Sequence, residues 1–140
     1  MKVSTRARYG VRLMLQLALN DGNGPFFLKD IARKQEISEK YLSQIIIPLK
    51  AKGLVNSIRG AKGGYTLARD MEKITMKDIV EPLEGKFLIS DSGTNRSVRC
   101  VSRNLWTKLG KAISDTLSSV TLKDLVDEYN QKGKIVTYQI

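Results

Sequence analysis

Apolar side chains recur at helical spacing near the start of the chain. Residues 5–19 follow the i, i+4, i+5 pattern of one helix face. Its apolar positions are Tyr9, Leu13, Met14, Leu17 and Ala18. Ser4 or Thr5 can cap the start of this helix, and the turn-forming residues 20–25 end it.

Two further helices are predicted close behind the first. Residues 28–34 predict a short helix, residues 35–37 a turn, and Ser38 can cap a third helix that runs to Lys52. The apolar stripe of the third helix consists of Tyr41, Leu42, Ile45, Ile46 and Leu49. Gly53 can end this helix in the left-handed conformation, whereas Pro48 predicts a bend or an early relaxation inside it. Two helices joined by a tight turn make a helix-turn-helix unit.

A β-hairpin is predicted directly after this unit. The short apolar runs 54–58 and 65–67 flank a glycine-rich segment that carries Arg59 and Lys62. A helix followed by a hairpin with a cationic tip is the arrangement with which winged helix-turn-helix proteins hold a DNA duplex. The helix enters the major groove, and the tip lies on the backbone or in the adjacent minor groove.

The second half of the chain is predicted to be mostly helical. A short helix is expected over 75–83, capped by Thr75 and ended near Gly85, and a polar loop follows over 86–97. Helical spacing returns over 98–120, where Trp106 widens the apolar stripe. This stripe can pack on the first helix or on the same helix of a second subunit. A last short helix is expected over 122–126, and residues 135–140 alternate like a strand.

The predicted fold class is therefore mainly α with a small β-hairpin: a winged helix-turn-helix with a long C-terminal dimerisation helix. We expect a DNA-binding domain over 1–84, a flexible loop over 85–97, and a dimerisation helix with a C-terminal tail over 98–140. At 140 residues, a core of this kind needs no disulfide or metal to hold it.

The charge of the chain is concentrated in its first half. The net charge is +10, and residues 1–69 contain 13 Lys and Arg against 4 Asp and Glu, whereas residues 70–140 contain 11 against 10. Basic surfaces attract phosphate backbones, although a soluble basic surface or affinity for anionic lipid would show the same excess. Only the helix and hairpin pattern favours nucleic acid.

Several other function classes are excluded or disfavoured by composition. The chain has no histidine, which removes serine and cysteine catalysis that uses a histidine base, so no enzyme activity is expected. The glycine-rich tip does not complete a phosphate-binding loop. One cysteine cannot form an internal disulfide or a zinc site of cysteine and histidine, and no metal site is expected. No apolar run is long enough to span a membrane and no secretory pattern begins the chain, so we expect a cytoplasmic protein.

Candidate DNA-binding residues lie on the third helix and on the hairpin. Off the apolar stripe are Glu39, Lys40, Ser43, Gln44 and Ile47. Gln44 can pair with adenine, Ser43 can reach several base edges, and Lys40 suits a phosphate. At the hairpin tip, Gly60 and Gly63 allow a close backbone approach, and Arg59 suits a narrow minor groove. Arg8 on the first helix is positioned to reach a phosphate.

The chain resembles the Rrf2 family of bacterial transcription regulators over its whole length. The resemblance rests on residues 4–10 (STRARYG), 37–44 (ISEKYLSQ) and 53–65 (GLVNSIRGAKGGY), and on Leu105-Trp106. It implies a homodimer held by the long C-terminal helix and a roughly palindromic DNA operator. It also implies major-groove contacts around Ser38, Tyr41 and Gln44, and a minor-groove contact by Arg59.

Many members of this family bind a [2Fe–2S] cluster through three cysteines that precede the long helix. Cys100 matches the last of these, Thr94 stands where the middle one would fall, and residues 86–93 contain none. Cluster binding needs several thiolates or imidazoles, so we expect no conventional cluster and no cofactor. A cluster that bridges two Cys100 residues of a dimer, a redox-reactive thiol favoured by neighbouring arginines, and an inert cysteine all remain open.

Without a cluster, the chain resembles the cysteine-metabolism repressors of the family. The resemblance implies that the C-terminus, with Tyr138 and Ile140, docks into a cysteine synthase that acts as corepressor, through capture of its terminal carboxylate. A tail strand that completes the dimer is the alternative. The predicted function is a sequence-specific regulator of sulfur or redox metabolism genes, with repression expected. The alternatives are a redox sensor with an atypical or lost cluster, a non-specific nucleic-acid-binding module and a protein-interaction domain.

Overall fold

The computed structural model describes residues 2–61, 63–85 and 96–139, with side chains described to residue 133. The helices are α1 (Thr5–Leu19), α2 (Leu28–Gln35), α3 (Glu39–Ala51), α4 (Met76–Glu84), α5 (Arg96–Ser119) and α6 (Leu122–Gln139). The strands are β1 (Val55–Ile58) and β2 (Gly64–Leu67), and a short 3-10 helix covers Met71–Lys73. The predicted class, mainly helical with a small hairpin and a long helix near the C-terminus, is confirmed.

Serine hydroxyls cap the starts of α1 and α3. Ser4, rather than Thr5, caps α1, because its hydroxyl oxygen accepts the backbone N–H of Ala7 at 3.0 Å. Ser38 caps α3 in the same way, by accepting the N–H of Tyr41 at 3.0 Å. Both patterns satisfy backbone donors that a helix start leaves unpaired.

Two further sequence features bear on α3. Pro48 lies inside the helix, which nevertheless continues to Ala51. Gly53 then adopts the left-handed conformation at a φ of 73°, as predicted.

The hairpin pairs antiparallel with Val55 opposite Leu67 and Ile58 opposite Gly64. Phe26, in the loop before α2, pairs with the outer edge of β2. Its N–H donates to the carbonyl of Tyr65 at 2.9 Å, and the N–H of Tyr65 donates back at 3.0 Å. The hairpin is therefore anchored to the loop that leads into the helix-turn-helix unit.

The hydrophobic core joins both halves of the chain. It contains apolar residues of α1, α2, α3, β1 and α4, together with Leu122 and Val126 of α6. Gly10 of α1 lets α4 approach closely, because a Cβ there would overlap the Leu83 side chain. The C-terminal helix thus completes the core of the winged unit.

A backbone contact fastens the start of α6 beside the start of α4. The N–H of Met76 donates to the carbonyl of Val120 at 2.9 Å, and the N–H of Leu122 donates to the carbonyl of Ile74 at 2.8 Å. Thr75 and Thr121 face each other in this bridge, and each caps its own helix. These bonds hold the starts of α4 and α6 next to each other, although the two are distant in sequence.

Two predictions about the C-terminal half are wrong. The long helix begins at Arg96, so the end of the predicted 85–97 loop is helical; residues 86–95, including Thr94, lie outside the described residues. Residues 135–139 of the predicted strand are instead part of α6, which continues past 126 to Gln139, and Ile140 lies outside the described residues. No proline interrupts α6, and a single internal glycine costs only about 1 kcal/mol, so the helix propagates through the short alternating run.

Candidate nucleic-acid interface

The outward face of α3 is a continuous exposed stripe. Lys40, Gln44, Ile47 and Ala51 are spaced i, i+4, i+7 and i+11, and all four are exposed. We call these four residues the outer stripe. The opposite face carries the buried residues Leu42, Ile45, Ile46 and Leu49, which fix the helix on the core. Packing of the buried face on the core therefore leaves the outer stripe accessible from solvent.

The two predicted serine contacts are already engaged within the helix. Ser38 accepts the Tyr41 N–H as the cap, which leaves its hydroxyl hydrogen available. The Ser43 hydroxyl donates to the carbonyl of Lys40 at 2.6 Å, so only its oxygen remains free to accept a bond. Ser43 is suited to a base-edge donor, such as the amino group of adenine or cytosine.

An aromatic contact ties the first helix to the beginning of α3. The rings of Tyr9 and Tyr41 meet edge to face, with centroids 5.8 Å apart and planes at 83°. Tyr41 is half-buried at this contact. The guanidinium of Arg12 lies 5.5 Å from the Tyr9 ring centre. Arg8 is exposed beside them and donates to the Thr5 hydroxyl at 3.2 Å. This contact brings cations of α1 toward the helix that bears the outer stripe.

The hairpin tip is a tight turn that only glycine can form. Gly60 has a φ of 112°, and the N–H of Gly63 donates to its carbonyl at 2.9 Å. A Cβ on Gly63 would overlap the carbonyl oxygen of Ile58. Arg59 is exposed at this turn, whereas Lys62 lies outside the described residues. The turn presents Arg59 and the exposed backbone of Gly60, which suits a close approach to sugar and phosphate. Gly63 is buried against the carbonyl of Ile58, so the prediction that its backbone approaches the duplex is wrong, and its role is to form the turn.

In residues 1–69, most of the described lysines and arginines are surface cations without an ion-pair partner. In the described part of residues 1–69, every lysine and arginine is exposed. Within that part, only Arg33 lies within ion-pair distance of a carboxylate, that of Asp30 at 3.2 Å. Unneutralised cations of this kind attract a polyanion and make its binding sensitive to salt.

Sequence reasoning did not include Arg69 among the candidates. Its guanidinium donates from Nε to the carbonyl of Gly53 at 3.4 Å and from a terminal nitrogen to that of Lys52 at 3.2 Å. These bonds join the end of β2 to the end of α3, and so fix the hairpin relative to the outer stripe. No local pattern indicated this role, because the partners are backbone carbonyls distant in sequence.

The residues around Cys100 do not fit an iron–sulfur cluster. Cys100 is exposed on α5. Within the described ranges, no group of three or more histidine, cysteine or acidic residues is arranged to hold a metal ion. Since the whole chain contains one cysteine and no histidine, a subunit lacks the soft donors that such a cluster requires.

The C-terminal candidates can be placed only in part. Tyr138 lies within the last turns of α6, and its side chain is not described; Ile140 lies outside the described residues.

Within the described residues, no helix is long and apolar enough to cross a membrane.

Comparison with known proteins gives one consistent set of relatives. The profile of the Rrf2 family, described as iron-dependent transcriptional regulators, matches residues 3–128. The HTH-type transcriptional regulator CymR of Bacillus subtilis is 44% identical over 125 residues, which cover 89% of each chain. An IscR of Photorhabdus laumondii is 35% identical over 131 residues, which cover 91% of this chain and 80% of that one.

Solved structures agree with these sequence matches. The structure of B. subtilis CymR, described as the global cysteine regulator, superposes with a TM-score of 0.79 and 42% identity, and covers 91% of this chain and 98% of that one. The structure of T. potens IscR superposes with a TM-score of 0.77 and 43% identity, and covers 92% and 88%.

Proposed function

Because the chain belongs to the Rrf2 family of helix-turn-helix transcriptional regulators, we propose that it acts as a homodimeric repressor of genes for sulfur or cysteine metabolism. One observation carries the proposal: the basic half of the chain presents both the exposed outer stripe of α3 and a hairpin with an exposed arginine. Similarity to a regulator named for cysteine supports the choice of pathway. The protein would work in the cytoplasm, without enzymatic activity.

In the proposed complex, α3 lies in the major groove with its outer stripe facing the bases. Gln44 bonds to the edge of an adenine, Lys40 contacts a phosphate, and Arg59 enters the minor groove. Loss of one such arginine contact costs about 1–3 kcal/mol, or roughly 5- to 160-fold in affinity. The exposed cations of residues 1–69 supply the part of the affinity that does not depend on sequence.

The test is a binding titration on an operator selected from genomic fragments by the purified protein. Arg59→Ala should weaken binding at least about fivefold, and Gln44→Ala should relax the base preference at one position of each half-site. Lys132→Ala, which removes an exposed cation of α6 paired with Glu128, is the matched control and should bind normally. Binding of all duplexes with equal affinity would instead identify a non-specific nucleic-acid module.

The proposed dimer is formed through α5. Val98, Val101 and Leu105 lie one turn apart on this helix and are 64%, 72% and 56% exposed. Apolar side chains at that spacing form a stripe that a second copy can cover. Two protomers joined in this way would read half-sites about 34 Å apart, one turn of the duplex.

Sedimentation of two charge variants tests the dimer. Leu105→Glu places a carboxylate inside the proposed contact and should give monomers that bind the operator weakly. Lys108→Glu introduces the same residue at an exposed polar position of α5 and should remain dimeric. If both variants sediment as dimers, the interface lies elsewhere.

We further propose that the subunit carries no conventional [2Fe–2S] cluster, because its donor set is a single exposed thiol. Protein purified without oxygen and incubated with iron and sulfide should stay colourless and free of iron. Stoichiometric iron with visible absorption, lost in Cys100→Ser, would reveal a cluster shared by two subunits and would contradict the proposal.

The proposed corepressor is a cysteine synthase that captures the C-terminal carboxylate through Tyr138 and Ile140. Because α6 extends to Gln139, the last turn would have to unwind to enter an active site. Helix ends fray easily, since their last carbonyls have no partners within the helix. Full-length protein should bind the synthase, and protein that lacks Ile140 should not; equal or absent binding ends the idea.

A further inference from the structure

Ile47 is the exception on the outer stripe of α3. Its side chain is 65% exposed, whereas the other three residues of the outer stripe are polar or small. The apolar residues Ile45, Ile46 and Leu49 on either side of it in the sequence are all buried. Packing in the subunit therefore does not account for an isoleucine at this position.

Helix stability does not account for it either. β-branched residues lose side-chain freedom in a helix and are less favourable there than alanine, lysine or glutamine. Single exposed apolar residues are common on protein surfaces and by themselves signify nothing. Ile47 differs in its position: it follows Gln44 by one helical turn, on the face that the proposed function directs into the major groove.

The major groove offers one apolar group to such a side chain. Each base edge there carries hydrogen-bond donors or acceptors, and thymine alone adds a methyl group, at C5. Three residues along a helix advance it by about 4.5 Å, a little more than one base-pair step of about 3.4 Å. An apolar residue one turn beyond Gln44 would thus face a base one or two pairs from the adenine that Gln44 contacts.

We propose that Ile47 determines specificity by packing on the C5 methyl group of a thymine within one or two base pairs of the Gln44 contact. This inference rests on the proposed function, because it assumes that α3 enters the major groove. It adds a requirement that hydrogen bonds cannot impose: a thymine at that position should be preferred to a uracil, which differs only by lacking the methyl group.

The experiment replaces each thymine of the selected operator, one at a time in both half-sites, with deoxyuridine. At one position, uracil should weaken binding of the wild-type protein about fourfold per half-site, the change expected when one methyl group loses an apolar contact. Ile47→Ala should bind the thymine operator more weakly by a similar factor and should be indifferent to uracil at that position. Ile47→Val, which keeps the branch, should retain part of the discrimination.

Two variants serve as controls. Gln44→Ala should keep the uracil effect while losing its own base preference, and its sensitive base pair marks where the uracil position should lie. Ile58→Ala removes an apolar side chain that is 46% exposed on β1 and should leave the uracil effect intact. Because Ile47 is exposed, its variants should melt at the temperature of the wild type.

The outcomes separate the inference from the function on which it rests. If wild-type protein prefers its operator but tolerates uracil at every position, the inference is overturned and the regulator function stands. The inference is also overturned, and the regulator function stands, if Ile47→Ala still discriminates fully against uracil. An equal weakening of binding to the thymine and uracil operators by Ile47→Ala has the same meaning. If no sequence is preferred at all, the proposed function fails and the inference fails with it.

Discussion

Truncation of Leu122 to alanine tests whether the C-terminal helix stabilises the DNA-binding half. Leu122 is fully buried, and its backbone N–H is bonded to Ile74 beside the start of α4. Removal of a buried leucine side chain costs about 2–5 kcal/mol, and the upper part of that range applies where the site cannot collapse. We expect the upper part here, because the backbone bonds at Val120 and at Leu122 itself hold this segment in place.

This loss is large compared with the total stability of such a chain. For 140 residues, a free energy of unfolding of about 7–20 kcal/mol is usual. At roughly 3–5 °C per kcal/mol, a loss of about 4–5 kcal/mol should lower the melting temperature by about 12–25 °C. Thermal unfolding followed by circular dichroism and by the fluorescence of Trp106 on α5 should show one shared transition. Hydrogen exchange of residues 39–51 should quicken in parallel.

Leu125→Ala, on the same helix but only half-buried, is the matched control and should cost distinctly less. The reasoning would be refuted if Leu122→Ala lowered the melting temperature by no more than this control. It would also be refuted if α6 melted in a separate early transition while exchange over residues 39–51 stayed unchanged. Either result would mean that the winged unit does not depend on its C-terminal helix.

Three smaller perturbations test the recognition half. Gly63→Ala, which forces a Cβ against the carbonyl of Ile58, should reduce operator affinity about tenfold in a fluorescence anisotropy titration, whereas Ala61→Ser should not. Glu36→Gly should raise stability by about 0.5–1 kcal/mol in urea unfolding, because Glu36 has a φ of 54°, and Glu36→Ala should bring no gain. Ser38→Asp should keep the helix cap and the melting temperature but weaken DNA binding through repulsion of phosphate, whereas Ser38→Ala should lose about 1 kcal/mol of stability. Stabilisation by Glu36→Ala, or tight DNA binding by Ser38→Asp, would contradict these arguments.

The local features of the fold could be predicted because each depends on a few neighbouring residues. Ser38 and Thr75 cap helices through a hydroxyl that reaches three residues along the chain, and Gly53 ends one because only glycine readily turns left-handed. The hairpin follows from glycines between two short apolar runs. The error over residues 135–139 has the same cause. The short alternating run matched a strand, but the preceding helix continued through these residues.

The sequence by itself also determined the chemistry that is available. One cysteine and no histidine limit what metal the chain can hold, and the excess of cations in residues 1–69 favours a polyanionic partner whatever the fold. These conclusions need only composition and position along the chain.

Tertiary structure alone decided how the parts of the interface face one another. The ring contact of Tyr9 with Tyr41, the bonds of Arg69 to the end of α3, and the bridge between Thr75 and Thr121 join residues distant in sequence. No local pattern encodes such pairs, because each depends on the packing of whole helices around a shared core. The same packing left Ile47 exposed while its neighbours Ile45 and Ile46 were buried, a distinction that follows from which face of α3 meets the core.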